Sequence, residues 1–105
     1  RGPFVFTSGQ VPVDGDGEFV GEGDIAAQTR QVLNNIKVVL AEGGATIADV
    51  MKTTVFLADM KDFAGMNEVY AEFFGSDKPA RTTVEAGLAR PKFLVEIEAV
   101  AIVEE

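Results

Sequence analysis

The spacing of hydrophobic residues changes along the chain and divides it into strands and helices. The opening segment "PFVFTSGQV" is rich in apolar and aromatic residues and contains a glycine near its end, which predicts a strand. The following "DGDGEFVGEGD" carries the glycines and aspartates typical of a turn and a short connection, with room for one further short strand.

Two segments have the spacing of amphipathic helices. The first begins after Asp24, a good cap residue, and is stopped by Gly43 and Gly44. Its recurring positions are Ile25, Thr29, Val32, Leu33, Ile36, Val39 and Leu40. The second follows the reversal "MKDF", with Asp62 as its predicted cap. Its predicted inner face comprises Phe63, Met66, Tyr70, Phe73 and Phe74.

Three more strands complete the predicted order. Thr46 and Asp49 have the spacing of a capping box, which predicts a short helical turn leading into the strand "VMKTTVFLAD". The segments "ARTTVEAG" and "FLVEIEAVAIV" read as strands separated by a loop that contains Pro91. The order predicts an α/β (α+β) two-layer sandwich, with two helices on one face of the sheet.

The last strand has two different faces. One face is wholly apolar and suits packing under the helices: Val95, Ile97, Ala99, Ala101 and Val103. The other face alternates apolar residues with two glutamates: Leu94, Glu96, Glu98, Val100 and Ile102. We expect something to cover this second face, and another copy of the chain is the simplest candidate.

Composition narrows the possible functions. The length of 105 residues fits one domain, and the net charge of −8 disfavours nucleic acid or an anionic membrane as the main partner. No apolar run is long enough to span a bilayer. The chain has no Cys, which favours a reducing compartment such as the cytoplasm, and no His, which excludes the commonest general base. Carboxylates, Arg, Lys, Tyr and backbone groups are left to perform any chemistry.

Two charged residues are the main candidates for that chemistry. Arg81, at the start of a predicted strand, either forms a surface ion pair or binds a carboxylate ligand with its planar guanidinium. Glu96 and Glu98 lie two residues apart on one strand face, where like charges repel. Either Glu96 lines a pocket while Glu98 is exposed, or both are solvated on a rim.

Three further residues have both a structural and a binding interpretation. Asn67 falls on or near the apolar face of the second helix, where its amide bonds either a loop or a ligand. Thr83 points to the same side of its strand as Arg81, and Gly9 ends a turn that offers backbone N–H groups.

The blocks "FTSGQVPVD", "KTTVFL", "MNEVYAEFF", "PAR" and "VEIEA" occur in the order found in one known family. Over essentially its whole length the chain resembles the Rid (reactive intermediate deaminase, YjgF-type) family. The resemblance implies a chorismate-mutase-like fold with a mixed sheet, assembled as a homotrimer around a barrel core with pockets between subunits. It also implies a single domain over residues 1–105 that lacks the family's first N-terminal strand segment, which bears a "GPY"-like motif.

The implied activity is that of a 2-iminobutanoate/2-iminopropanoate deaminase, which hydrolyses reactive enamine and imine intermediates to 2-keto acids and ammonia without a metal or cofactor. By the resemblance, Arg81 binds the substrate carboxylate and Glu96 positions the attacking water. Asn67 and Thr83 then match pocket-lining positions, and Gly9 matches a backbone contact. The loop "AGLARPK" departs from the family's "VARLPK".

Two alternatives stand beside the deaminase. The first is a trimeric protein that binds or senses small keto acids or related metabolites without converting them. The second is a ribonuclease activity attached to some relatives, which the acidic charge and the absent His disfavour.

Overall fold

Four strands form one mixed sheet in the computed structural model, which describes residues 3–103. The strands are β1 (Phe4–Phe6), β2 (Val50–Leu57), β3 (Ala80–Glu85) and β4 (Val95–Ile102), arranged in the order β1-β4-β2-β3. β4 runs antiparallel to both β1 and β2, whereas β2 and β3 are parallel. The helices are α1 (Ile25–Glu42) and α2 (Phe63–Phe74), and α2 connects the two parallel strands. The predicted α+β architecture is confirmed.

The ends of α1 agree with the sequence signals. Asp24 precedes the first turn and its Oδ1 accepts a hydrogen bond of 3.0 Å from the backbone N–H of Ala27. Gly43 ends the helix, and Gly44 follows with a φ of +83°, a conformation that favours glycine. The predicted capping box is also present, since Thr46 and Asp49 enclose a 3₁₀ turn over Ile47–Asp49.

The predicted cap of α2 is wrong in one respect. Asp62 does occupy the position before the helix, but its side chain makes no capping hydrogen bond. Asp59 instead accepts a bond of 2.9 Å from the backbone N–H of Lys61 and caps a 3₁₀ turn over Met60–Asp62 that leads into the helix. The additional 3₁₀ turn explains the difference, because it leads the chain directly into α2 and leaves the side chain of Asp62 without a capping role.

Both helices pack on one face of the sheet and enclose the core there. The predicted apolar face of β4 is confirmed, since Val95, Ile97, Ala99 and Ala101 are all buried in this core. The partners of these residues come from α1, α2 and β2, and include Leu33, Ile36, Val55, Leu57, Met66 and Tyr70.

The first strand is shorter than predicted. Its regular pairing with β4 ends at Phe6, although Thr7 still donates a hydrogen bond to the carbonyl of Ala99. Pairing resumes at Gln10, whose N–H and C=O both bond to Ile97. Ser8 and Gly9 therefore bulge out of the ladder. The optional second strand is reduced to one isolated bridge between Val13 and Phe19.

The sheet face opposite the helices carries apolar side chains that are open to solvent in the single chain. Phe6 is 69% exposed, and Phe4 and Val84 are exposed as well. By strand alternation, Val100 and Ile102 of β4 share this face with them. No helix within residues 3–103 is long and apolar enough to cross a membrane.

Candidate functional site

The guanidinium of Arg81 is held against one stripe of α2. Arg81 lies on the edge strand β3, and its Cζ lies 4.6 Å from the ring centroid of Tyr70 and 5.3 Å from that of Phe63. Its Nη1 donates a hydrogen bond of 2.7 Å to Oδ1 of Asn67. Positions 63, 67 and 70 follow the helical spacing of i, i+4 and i+7, so one helix face provides all three contacts. We call Phe63, Asn67 and Tyr70 the Arg81 cradle.

The cradle is anchored to the sheet through Tyr70. Its hydroxyl shares a hydrogen bond of 2.6 Å with Oγ1 of Thr53, and both residues are only 1% exposed. Burial raises the pKa of Tyr70 above its usual range, although the bond to Thr53 and the positive charge of Arg81 act in the opposite direction. The phenol therefore stays protonated at neutral pH.

Arg81 has no acidic partner within residues 3–103. The ion pairs of this part of the chain join Arg30 to Glu72 and Lys92 to Glu22, both at exposed positions. The surface ion pair that the sequence left open for Arg81 is therefore not formed by these residues. A half-buried cation held by an amide and two aromatic rings remains available to an anion.

Thr83 lies on the same sheet face as Arg81, as the sequence predicted from strand alternation. Its Oγ1 is buried and has no hydrogen-bond partner within residues 3–103. Thr83 therefore carries a buried polar atom without a partner in this part of the chain, two residues along β3 from Arg81.

Glu96 lies on the opposite face of the sheet from Arg81. Along β2, Arg81 is paired with Thr53 and Glu96 with Phe56, three residues further on. Because side chains alternate between faces at every residue, an odd separation places the two on opposite sides. Within one chain, the structure does not bring Arg81 and Glu96 together.

Glu96 does meet Gly9, the third element of the predicted site. A Cβ built on Gly9 would overlap with Oε2 of Glu96 and would lie 2.8 Å from its Cδ. The bulge at Ser8 and Gly9 brings the backbone into contact with this carboxylate, so only glycine fits there without displacing it. Glu96 and Glu98 are both half-buried, so a lining Glu96 beside an exposed Glu98, one of the two arrangements that the sequence left open, is not formed in the single chain.

Five clefts within residues 3–103 have linings that include neither of the two charged candidates. A cleft of about 410 Å³ follows β3 and includes Glu85, Gly87, Arg90 and Phe93, with the Arg90 guanidinium 5.4 Å from the Phe93 ring centroid. Neither Arg81 nor Glu96 lines it. Within residues 3–103, no group of three His, Cys, Asp or Glu side chains is placed to hold a metal ion.

Sequence reasoning missed the contribution of Tyr70 and Thr53 to the site. Tyr70 was assigned to the core face of α2, which is correct, but its ring also contacts Arg81. The spacing of Phe63, Asn67 and Tyr70 was a usable signal, because it aligns two aromatic rings with the amide on one helix face.

Comparison with known proteins finds relatives of which this chain covers roughly four fifths, 82% and 77% in the two described below. The family model described as Endoribonuclease L-PSP matches residues 1–103. A RutC family protein of Pyrococcus horikoshii is 52% identical over 98% of this chain and 82% of its own length. The 3-aminoacrylate deaminase RutC of Acinetobacter baylyi is 44% identical over 92% of this chain and 77% of its own length.

Solved structures agree with these sequence relatives. Yeast Mmf1 superposes with a TM-score of 0.92 at 38% identity, covering 99% of this chain and 82% of that protein. The crystal structure of E. coli TdcF with bound serine gives a TM-score of 0.89 at 38% identity, covering 98% of this chain and 83% of that protein. The chain therefore belongs to the YjgF/RutC (Rid) family.

Proposed function

We propose that this protein is an enamine/imine deaminase that hydrolyses small 2-imino acids, such as 2-iminobutanoate and 2-iminopropanoate, to 2-keto acids and ammonia. The observation that carries the proposal is the guanidinium of Arg81, which is held by Asn67 and two aromatic rings and has no acidic partner within residues 3–103. The relative named 3-aminoacrylate deaminase, at 44% identity, supports the same general reaction class.

Arg81 supplies the anchor for the substrate carboxylate. A guanidinium has five N–H donors, and Asn67 uses one of them. The remaining donors include a pair that can form two parallel hydrogen bonds to a carboxylate. Such bonds fix both the position and the plane of a 2-imino acid, which orients its C=N carbon toward a water molecule.

Glu96 acts as the proton acceptor in this mechanism. Its carboxylate has no hydrogen-bond partner within residues 3–103 and lies against Gly9. Water attacks the C=N carbon while Glu96 takes one of its protons, and that proton then passes to the nitrogen. This gives a carbinolamine, which carries a hydroxyl and an amino group on the same carbon. Glu96 then accepts the hydroxyl proton and passes it to the nitrogen, the C–N bond breaks as the C=O bond forms, ammonia leaves, and the 2-keto acid remains bound to Arg81. No redox step or additional reactant is needed.

The opposite orientation of Arg81 and Glu96 requires a pocket shared between chains. Arg81 faces α2 at the edge strand, whereas Glu96 faces the side of the sheet that the helices leave open. We therefore include a homotrimer in the proposal, with Arg81 from one copy and Glu96 from a neighbouring copy at each pocket. The exposed apolar side chains around Glu96's face, such as Phe6, are suited to burial against another copy.

A second candidate function is a trimeric sensor that binds small amino or keto acids without converting them. The specific observation in its favour is that a relative, E. coli TdcF, was crystallised with bound serine. This function would need the Arg81 anchor but not the proton acceptor at Glu96. The endoribonuclease in the family description is a weaker candidate, because the chain carries a net charge of −8 and contains no His.

The deaminase is tested by generating 2-aminoacrylate with a serine dehydratase and following pyruvate and ammonia release above the spontaneous rate. The protein should accelerate release, and Glu96→Gln should reduce the acceleration by roughly 10²- to 10⁴-fold because it removes the proton acceptor. Binding of 2-oxobutanoate by Glu96→Gln should stay close to that of the parent protein.

Glu98→Gln is the matched control, since it makes the same change two residues away on the same strand face. Its turnover should resemble that of the parent. If Glu96→Gln turns over imines as fast as the parent does, Glu96 is not the proton acceptor. If the parent itself gives no acceleration yet binds 2-oxobutanoate through Arg81, the sensor function replaces the deaminase.

A further inference from the structure

We infer that Tyr70 and Thr53 are positioning residues that hold the guanidinium of Arg81 in the orientation that binds a ligand carboxylate; the part that concerns the ligand rests on the proposed function. Neither hydroxyl touches the reacting atoms in this scheme. They act through Arg81, and the inference follows from three contacts that converge on one ring.

The first contact is between the Tyr70 ring and the cation. The Arg81 Cζ lies 4.6 Å from the ring centroid, closer than its 5.3 Å from the Phe63 centroid. At this distance the guanidinium is attracted to the negative face of the ring, and more strongly in a half-buried site than in open water. The orientation of the ring therefore governs where the cation lies.

The second contact fixes that ring at its outer end. The Tyr70 hydroxyl and Oγ1 of Thr53 are 2.6 Å apart and are both excluded from solvent. Thr53 is also the cross-strand partner of Arg81 in the parallel pair of β2 and β3. The hydrogen bond thus ties the ring to the same row of the sheet from which the Arg81 side chain projects.

The third contact limits the ring from the side of the helix. The ring of Phe74, one turn further along α2, has its centroid 4.7 Å from that of Tyr70. With the hydroxyl bonded and this neighbour in place, the Tyr70 ring has little freedom to turn. Asn67 then holds Nη1 at 2.7 Å, so the guanidinium is held by an aromatic ring below its Cζ atom and by a hydrogen-bond acceptor at Nη1.

This arrangement lowers the entropy that Arg81 would lose on binding a carboxylate. Immobilising one flexible side chain at a binding site weakens affinity by roughly 2- to 10-fold. Because the Arg81 side chain is already ordered in this arrangement, binding of the ligand causes little further loss of its side-chain entropy. The Tyr70 and Thr53 hydroxyls are expected to affect affinity by about that factor, although neither contacts the ligand.

The experiment compares Tyr70→Phe, Thr53→Val and the double variant in two measurements, the melting temperature and the dissociation constant for 2-oxobutanoate. Each single variant leaves one buried hydroxyl without a partner, so each should melt at a lower temperature than the parent. The double variant removes both hydroxyls and leaves neither unpaired, so its melting temperature should be higher than those of the single variants and closer to that of the parent.

The dissociation constant should behave differently from the melting temperature. All three variants should bind 2-oxobutanoate roughly 3- to 10-fold more weakly than the parent, because the ring is untethered in each. In turnover, KM should rise by a similar factor while kcat changes little. If the two hydroxyls have a purely structural role, the double variant should recover its affinity for 2-oxobutanoate together with its melting temperature. That result would overturn the inference.

A direct measurement of Arg81 separates this inference from the proposed function. In the ligand-free protein, ¹⁵N relaxation of the Arg81 Nε–Hε group should show an ordered side chain, and its order parameter should fall in Tyr70→Phe. If the parent binds no 2-oxobutanoate, the proposed function fails and this measurement alone decides the inference. An unchanged order parameter contradicts it. Thr29→Val is the control, since it removes a buried hydroxyl on α1 that has no partner within residues 3–103.

Discussion

At the scale of single residues, the proposed site depends on the shape of the side chain at position 81 as well as on its charge. Arg81→Lys keeps the positive charge but loses the planar set of donors. Arg81→Lys should weaken binding of 2-oxobutanoate by roughly 10-fold, because it loses the pair of parallel hydrogen bonds to the carboxylate. Arg81→Ala should weaken binding further, because it also loses the positive charge. Isothermal titration calorimetry with 2-oxobutanoate measures the affinities of the parent and the two variants and so their rank order.

Arg30→Lys is the matched control for this series. Arg30 forms an exposed ion pair of 3.1 Å with Glu72 on the outer surfaces of the helices, where a change in geometry has little energetic effect. Its affinity for 2-oxobutanoate should equal that of the parent. Equal affinity in Arg81→Lys and the parent would show that the ligand does not use the guanidinium plane.

Gly9 provides a second prediction at this scale. The Cβ of Gly9→Ala would occupy the space that holds Oε2 of Glu96, so the carboxylate must move. Imine turnover should fall by at least 10-fold, because misplacing a proton acceptor by about 1 Å has large effects on rate. Gly15→Ala is the control, since a Cβ at Gly15 meets no atom within 4 Å. Full turnover in Gly9→Ala would argue against this position of Glu96 in the active protein.

The candidate residues could be selected from sequence, but their mutual placement could not. Arg81, Asn67 and Thr83 were identified by residue type and spacing, and the structure places the three on the same side of the sheet. The alternation of apolar residues along β4 already places Glu96 on the face away from the helices, but β3 has no wholly apolar face, so the side on which Arg81 lies depends on the register of β3 against β2. No local pattern records that register.

At the scale of secondary structure elements, α1 has the most clearly encoded boundaries. Asp24→Ala removes the acceptor for the Ala27 N–H and should lower the free energy of unfolding by about 1 kcal/mol, the usual effect of losing a helix cap. Urea denaturation at fixed protein concentration measures the difference. Asp16→Ala changes an exposed aspartate in the preceding turn, and its stability should stay within about 0.5 kcal/mol of the parent. If the two variants are equally stable, the cap contributes nothing measurable.

The strands were predicted less accurately than the helices for a physical reason. The limits of α1 are set by local signals, Asp24 and Gly43, that act within one turn. The limits of β1 are set by pairing with β4, and the bulge at Ser8 and Gly9 interrupts a segment that is apolar enough to continue. Similarly, Asp62 has the residue type of a cap, but the turn begun by Asp59 makes its capping bond unnecessary.

At the scale of the whole molecule, one sheet face determines both assembly and activity in the proposed function. The helices bury the face that includes Val95 and Ile97, and leave open the face that carries Glu96 and Val100. Burying the open face against another copy removes apolar surface from water and, in the same step, brings Glu96 to a surface of a neighbouring chain. Assembly and turnover should therefore be lost together.

Val100→Asp tests this connection. Val100 lies in the middle of the open face, paired with Phe6 on one side and Lys52 on the other. The parent should sediment at three times 11.2 kDa, whereas Val100→Asp should sediment as a monomer because an unpaired charge would be buried between copies. Its imine turnover should disappear with the trimer.

Val38→Asp makes the same change on α1, at a position that is 60% exposed. This control variant should keep both the trimer mass and the imine turnover of the parent. A parent that sediments as a monomer at micromolar concentration would exclude the shared pocket, and a trimeric Val100→Asp would place the contact between chains elsewhere.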